Sequence, residues 1–303
     1  MTRRRLAVFG LVIAIVAAVS LAIFSPPAFV TSLFADDLPA ETAGDAVPPI
    51  AGTPAVRIAV AGDTGTGNDA EDATAERMLV ESQKDPYDAL LLLGDLIYDD
   101  GDAALVDSAV TEPFAPILDG GAKLVPVLGN HDYKSGEQEQ ILTALGRQDS
   151  WYVEQIGSVR IIVLDSNQVE DTVQTQWLRD TLAEPEPPET WTVAAMHHPA
   201  YSAGYHGSDR KVQETWAPLF AEYGVPLVLA GHDHDYQRSI PQEGVTYVVS
   251  GAGAKTRPVG QEDFTAVSTS TLHYLDLLFY DDRVVGRAID QGGRLVDTFT
   301  ISR

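Results

Sequence analysis

Five short segments of this chain place carboxylate, carboxamide, phenol and imidazole groups directly behind apolar runs. Gly62-Asp63-Thr64-Gly65 follows Val56–Ala61, and Gly94-Asp95-Leu96-Ile97-Tyr98 follows Ala89–Leu93. Gly129-Asn130-His131-Asp132 follows Lys123–Leu128, His197-His198-Pro199 follows Trp191–Met196, and Gly231-His232-Asp233-His234 follows Val225–Ala230. Such donors together suit hard or borderline metals, among them Fe, Mn and Zn. Glycine beside most of them permits sharp turns and close backbone approach. His232 and His234 stand two apart, so in extended backbone they face the same way and can reach one cluster, or one metal each. The chain has only 7 histidines, and His131, His197, His206, His232 and His234 all fall in or near these segments.

The elements that must position these groups are legible in outline. The apolar runs, with Val159–Leu164 as a sixth, have the length and β-branched content of buried strands. Helical spacing recurs between them at Asp69–Gln83, Gln138–Leu145, Val173–Leu182 and Val212–Tyr223. After His234 the pattern turns to hairpins, over Val245–Val249, Leu272–Tyr280, Val284–Ile289 and Leu295–Ile301. This order predicts an α/β fold, a mixed two-sheet β-sandwich flanked by helices, with a doubly wound single sheet as the alternative. In open α/β sheets the ligand site lies beyond the carboxyl ends of strands, so the five segments should converge. Gly-Asp behind a strand is by itself commonly a turn, Gly-Asn-His-Asp and Gly-His-x-His are more specific, and all five in this order are the specific signal.

That order, Asp-x-Gly, Gly-Asp-x-x-Tyr, Gly-Asn-His-Asp, His-x-Pro and Gly-His-x-His, resembles the calcineurin-like metallophosphoesterases, from about Val56 to Arg303. The tyrosine of the second motif is similar to that of the purple acid phosphatase branch. Carried over by motif, the resemblance implies two metal ions. Asp63, Asp95, Tyr98 and His234 would hold Fe(III). Asp95, Asn130, His197 and His232 would hold divalent Fe, Zn or Mn, with Asp95 shared. His131 and His206 would face substrate and serve the leaving oxygen. The implied reaction is in-line attack of a metal hydroxide on a phosphate monoester, as in an acid phosphatase. Such a centre keeps a charge of about +1 after its anionic ligands and hydroxide are counted, which favours phosphate despite an acidic surface. A phosphodiesterase or nucleotidase using Mn or Zn is one alternative. A catalytically inactive, surface-anchored binding protein is another, and the complete ligand set argues against it.

Other residues take plainer roles. His198 and Asp132 read as support behind the ligands, Asp132 by orienting His131. Asp233 and Asp235 read as solvated turn residues, His273 as packing in a late strand, and the four tryptophans as core anchors.

A chain of 303 residues with 45% hydrophobic content can bury one large core. Its net charge of -24 argues against nucleic-acid scaffold binding. Absence of cysteine excludes disulfides and thiolate zinc sites. Arg3, Arg4 and Arg5 before the apolar run Leu6 to Phe24 predict an export signal over residues 1–35, either cleaved or kept as a single membrane anchor. Residues 36–55, rich in Ala, Pro, Asp, Glu and Gly, read as a flexible linker, and 56–303 as the catalytic domain. The expected location is extracytoplasmic, secreted or held on the outer face of the membrane, with a small phosphoester as the expected partner. Oligomeric state is open.

Overall fold

Aliphatic strands buried on both faces pair into two mixed sheets in the computed structural model, which describes residues 47–83 and 85–303. The predicted export signal and the first part of the predicted linker lie outside the described residues. In the first sheet β1 (Val56–Ala61), β2 (Ala89–Leu92) and β3 (Lys123–Pro126) are parallel. β11 (His273–Phe279), β12 (Arg283–Asp290) and β13 (Leu295–Ser302) extend it antiparallel from β1. The second sheet has the order β10-β8-β9-β7-β6-β5-β4. It contains β4 (Tyr152–Ile156), β5 (Val159–Val163), β6 (Trp191–Ala195), β7 (Leu227–Ala230), β8 (Tyr236–Ser239), β9 (Thr246–Ser250) and β10 (Thr265–Thr269). The two-sheet expectation therefore describes the chain, and the single doubly wound sheet does not.

Alternation along each strand divides the core. Ile58, Val60, Leu91, Val125, Ile161, Val193, Leu229 and Leu277 fill the space between the sheets. Their neighbours Ala59, Ala61, Leu90 and Leu92 face outward onto α1 (Asp69–Ser82) and α2 (Glu112–Leu118), meeting Met78 and Phe114. On the second sheet Ile162, Ala194 and Val228 face α4 (Thr172–Ala183) and α6 (Ala217–Glu222), meeting Leu178, Trp216 and Phe220. The side-chain period of two gives each strand two apolar faces, which is why these runs read as continuous.

The short helix α3 (Gln138–Ala144) forms where helical spacing predicted one, and the differences from the sequence expectation have local causes. The predicted helix Val212–Tyr223 is two helices, α5 (Arg210–Thr215) and α6, broken at Trp216. Pro218 in the first turn of α6 has no N–H to carry the helix through. The α2 helix was hidden by Pro113 and Pro116 within it. β8 and β10 escape a hydrophobicity pattern because they are Tyr-Gln-Arg-Ser and Thr-Ala-Val-Ser-Thr. β9 forms a hairpin with the unpredicted β8 and also runs parallel to β7. Trp191 and Trp216 are buried, whereas Trp151 and Trp177 are half-buried.

Residues 47–55 have no helix or strand, yet they touch the domain. Arg287 donates to the Pro48 carbonyl at 2.8 Å, and the Tyr280 hydroxyl donates to the Ala51 carbonyl at 2.9 Å. Among the described residues no helix is long and apolar enough to cross a membrane.

Candidate metal centre

The carboxyl ends of β1, β2, β3, β6 and β7 meet along one edge of the sandwich. Backbone bonds stitch the turns there: Asp63 N–H donates to Gly94 O at 3.0 Å, Gly62 N–H to Ser250 O at 2.7 Å, and Gly231 N–H to His197 O at 3.0 Å. Crowding sets the glycines. A Cβ on Gly129 would lie 2.1 Å from the Asp95 nitrogen, and one on Gly94 2.5 Å from His197 Nδ1, with Gly94 at φ +92°. Asp63, Asp95 and His232 have φ of 57°, 51° and 71°. Such left-handed backbone costs about 1 kcal/mol or more per non-glycine residue and gathers at functional sites. The same φ overturns the extended-strand picture of His232 and His234. Their segment is a turn, and the two rings go to different clusters.

In the first cluster Tyr98 Oη lies 3.0 Å from Asp63 Oδ1, 2.9 Å from Asp95 Oδ2 and 3.2 Å from His234 Nε2. In the second, His197 Nε2 lies 3.1 Å from Asn130 Oδ1, 3.2 Å from His232 Nδ1 and 3.4 Å from Asp95 Oδ1. Asp95 thus gives one oxygen to each cluster. A metal bound at about 2.1 Å spaces its ligands about 3.0–3.4 Å apart, so both groups have the dimensions of a coordination shell. The hydrogen-bond pattern also fits. His197 Nδ1 donates to the Leu93 carbonyl at 2.8 Å, which leaves Nε2 as a lone pair. That lone pair faces the Asn130 oxygen, and two facing lone pairs repel unless a cation lies between them. Asp63 Oδ2 accepts the His232 N–H at 2.8 Å, leaving Oδ1 for the cluster.

The electrostatics of the donors point the same way. Burial, with Asp95 beside it, pushes Asp63 up to about 8. Burial opposes ionisation of Asp95 too, but His197 and the His131 N–H outweigh it and hold Asp95 below the usual carboxylate range. Burial together with Asp63 and Asp95 drives the Tyr98 phenol far above its ordinary value. Burial and neighbouring imidazoles depress His232 strongly, and burial with Arg257 lowers His234 to about 4. Neutral imidazoles and crowded acids are what a cation needs from its ligands, and a bound cation inverts the phenol's preference.

The predicted substrate histidines flank the clusters. The His131 ring packs 4.4 Å from the Tyr98 ring, and its Nδ1 lies 2.6 Å from the Asp99 carbonyl. His206 lies with its ring 4.3 Å from that of His232. Its loop is held by Asp233, whose Oδ1 accepts the His206 N–H at 2.7 Å while Oδ2 accepts the Ser202 hydroxyl. Asp233 and Asp235 are fully buried, not solvated. Asp132 also differs from expectation. Its carboxylate accepts the backbone N–H groups of Gly129, Leu96 and Ile97 at 2.7, 3.1 and 3.0 Å, tying two motif turns together without orienting the His131 ring. His198 takes its support from Ser166 Oγ, 2.8 Å from Nδ1. His273 packs in the core, 3.0 Å from Ser250 Oγ.

Sequence reasoning missed the cations at the rim: Lys134, Lys255 and Arg257. Lys134 Nζ lies 2.8 Å from His131 Nδ1, Lys255 Nζ 3.4 Å from the Tyr98 ring centre, and Arg257 Nη1 2.9 Å from His206 Nε2. One signal was available. Gly251-Ala252-Gly253-Ala254-Lys255 follows an apolar run just as the five motifs do.

Comparison with known proteins gives a consistent picture. The family model described as calcineurin-like phosphoesterase matches residues 56–236. Human tartrate-resistant acid phosphatase type 5 is 28% identical over 247 residues, covering 66% of this chain and 74% of that protein. Among solved structures, the purple acid phosphatase PPD1 of yellow lupin superposes with a TM-score of 0.72 at 19% identity, over 83% of this chain and 54% of that one. A Plasmodium protein described as GAP50, the anchor in the inner membrane complex, superposes with a TM-score of 0.71 at 15% identity, over 82% and 88%. Those two likenesses concern the fold, and a fold shared by a phosphatase and an anchor leaves the site to decide function.

Proposed function

Since the chain belongs to the calcineurin-like phosphoesterase family and is a hydrolase of phosphoric esters of purple acid phosphatase type, we propose that it is a binuclear-metal phosphatase of monoesters. The observation that carries this reading is the pair of four-donor clusters that share Asp95. Asp63, Asp95, Tyr98 and His234 would hold Fe(III), the phenol being the donor that favours a ferric ion. Asp95, Asn130, His197 and His232 would hold a divalent Fe, Zn or Mn. When bound, the pair would act as Lewis acid for the phosphoryl oxygens and acidify water to give a nucleophile near neutral pH.

The chain's own residues do the rest. Leu93 fixes the His197 tautomer, and the His232 N–H fixes which Asp63 oxygen is free. His131, with Nδ1 against the Asp99 carbonyl and Nε2 3.2 Å from Lys134 Nζ, stands beside the first cluster, where it can hydrogen-bond phosphate or pass a proton to the leaving oxygen. His206, held by Asp233, occupies the other flank. Burial lowers the proton affinity of both histidines in the bare protein, and a phosphate between them would raise it again. The likeness to an acid phosphatase supports the phosphatase reading. The N-terminal arginines and apolar run support a place outside the cytoplasm, secreted or anchored.

The test is metal analysis, a visible spectrum and a panel of monoesters and diesters on the reconstituted full chain. The expected protein contains iron, is violet, prefers monoesters, and loses its colour in Tyr98→Phe. A colourless, fully loaded and active protein overturns the ferric assignment. A preference for diesters overturns the substrate class, and no turnover of any ester overturns the enzyme reading.

A further inference from the structure

We propose that the cavity of about 320 Å³ between α3 and the segment leading into β4 binds a neutral sugar, one pyranose ring that is either free or part of a glycan. None of the metal-site donors lines it, and the proposal does not depend on the phosphatase reading. Its size is at the small end of small-molecule sites, which run from about 300 to 1,000 Å³.

Charge in the lining excludes anions. Glu139 and Asp149 stand there, and no lysine, arginine or histidine does. Arg147 is close in sequence but engaged elsewhere. Its guanidinium meets Glu154 at 2.8 Å and stacks 4.4 Å from the centre of the Tyr152 ring. A phosphate, sulfate or carboxylate in the cavity would meet only like charge.

The free polar atoms select a hydroxyl. Gln138 Oε1 is buried and has no hydrogen-bond partner among the described residues. A buried acceptor left unpaired destabilises the fold, so a ligand that donates to it is favoured. The Trp151 indole N–H also meets no acceptor among the described residues, and an indole can only donate. One group thus needs a donor and the other an acceptor, and a hydroxyl is both. A quaternary ammonium would suit the carboxylates and the aromatic rings, but it has no N–H or O–H to give Gln138. A pyranose has several hydroxyls and an apolar C–H face, which matches the half-buried Trp151 ring and the buried Leu142.

Part of the lining is fixed before any ligand arrives. The Tyr133 hydroxyl donates to the fully buried Asp165 carboxylate. Gln168 Nε2 donates to the Tyr133 oxygen at 2.9 Å and to Asp165 Oδ2 at 2.7 Å, which uses both its protons and leaves its carbonyl oxygen as a further acceptor. Side chains already held by such a network lose little freedom on binding.

The test is saturation-transfer NMR and calorimetry on the full chain with the methyl pyranosides of glucose, mannose, galactose and N-acetylglucosamine, each beside its trisaccharide. At least one pyranoside should bind saturably with a Kd of about 1 mM, the affinity within reach of so small a ligand. Tighter binding of the trisaccharide identifies a glycan as the source, and equal affinity identifies a free sugar. Trp151→Ala should weaken binding at least about tenfold and Trp151→Phe should keep part of it, because the ring supplies the stacking face. Gln138→Leu removes the buried acceptor at similar volume, so it should weaken binding about threefold to tenfold without lowering Tm. Should Trp151→Ala fail to fold, Gln138→Leu alone decides. No saturable binding of any pyranoside, binding that Gln138→Leu leaves unchanged, or displacement of the sugar by equal choline or inorganic phosphate overturns the inference. Each of these outcomes leaves the phosphatase reading standing, and ester turnover should be the same in Gln138→Leu as in wild type.

Discussion

Replacing Asp132 by Asn tests whether this residue, and not a histidine, holds the two central motif turns together. Its side chain is fully buried. Oδ2 accepts Gly129 N–H at 2.7 Å and Leu96 N–H at 3.1 Å, and Oδ1 accepts Ile97 N–H at 3.0 Å. An asparagine has one acceptor oxygen. Burial and nearby Asp95 push the Asp132 carboxyl up to about 8, so above that pH, where the comparison is made, an asparagine placed on the Oδ2 side keeps two donors, loses the negative charge that strengthened them, and sets its NH2 against the Ile97 N–H. One lost and two weakened hydrogen bonds to a buried charge come to about 2–4 kcal/mol. For a domain of this size, that is a fall of about 5–15 °C in Tm. Thermal unfolding of the chelator-treated protein, followed by circular dichroism, measures it without the contribution of bound metal. The same change should weaken metal binding about 10–100-fold, read by competition with a chromogenic chelator, because the two turns carry Asp95, Tyr98 and Asn130. His131→Ala leaves all three bonds intact and should move Tm by less than about 1 kcal/mol equivalent. If Asp132→Asn melts within 2 °C (about 0.5–1 kcal/mol) of wild type, or costs no more than His131→Ala, the assignment is wrong.

Two further predictions concern groups away from the reacting atoms. Burial pushes the Glu71 carboxyl up to about 8, against 4.5 for a free glutamate. Such a raised acid contributes stability that is full below about 4.5 and is lost as pH rises through about 8. Each tenfold difference in proton affinity is worth about 1.4 kcal/mol, so a slope worth a few kcal/mol across this window should be visible in the metal-free protein; Asp63, Asp132 and Asp235, also raised by burial, add to it, and Glu71→Gln should make it shallower. An unchanged slope would refute it. Asp276 is buried between Arg57, at 3.0 and 2.9 Å, and Arg287. Asp276→Asn leaves two buried guanidiniums without their counter-charge and should cost about 3–5 kcal/mol in urea unfolding, and a loss under 1 kcal/mol would contradict the buried triad.

Much of the site was legible because its chemistry is local in sequence. Each donor stands within a few residues of a strand end, and a strand end in an α/β sheet has a known address. Asp63, Asp95, Tyr98, Asn130, His197, His232 and His234 were therefore nameable before any coordinates, as were His131 and His206. Strands and helices with strong apolar periods were legible for the same reason. Where the period failed, so did the expectation. Polar β8 was invisible because Gln237 is buried through hydrogen bonds to Ser202 and Asp235. Asp132 and Asp233 were misread because a short acidic residue in a turn looks alike whether it faces water or collects backbone N–H groups.

The sequence by itself determined which side chains could bind metal and the family they belong to, since both depend on residue type and order. The family resemblance implied how the donors divide, and only the tertiary structure supplied the backbone geometry that lets them do so. Asp95 reaches both clusters because left-handed backbone at Asp63, Asp95 and His232 aims them inward, and those angles are imposed by turns packed against Gly94 and Gly129. It also decided that Lys255 and Arg257 stand at the rim. That placement follows from β9 pairing in parallel with β7, a contact between residues 227–230 and 246–249. Pairing partners are chosen by the whole core, not by the residues that pair, and the cations go where the strand end carries them.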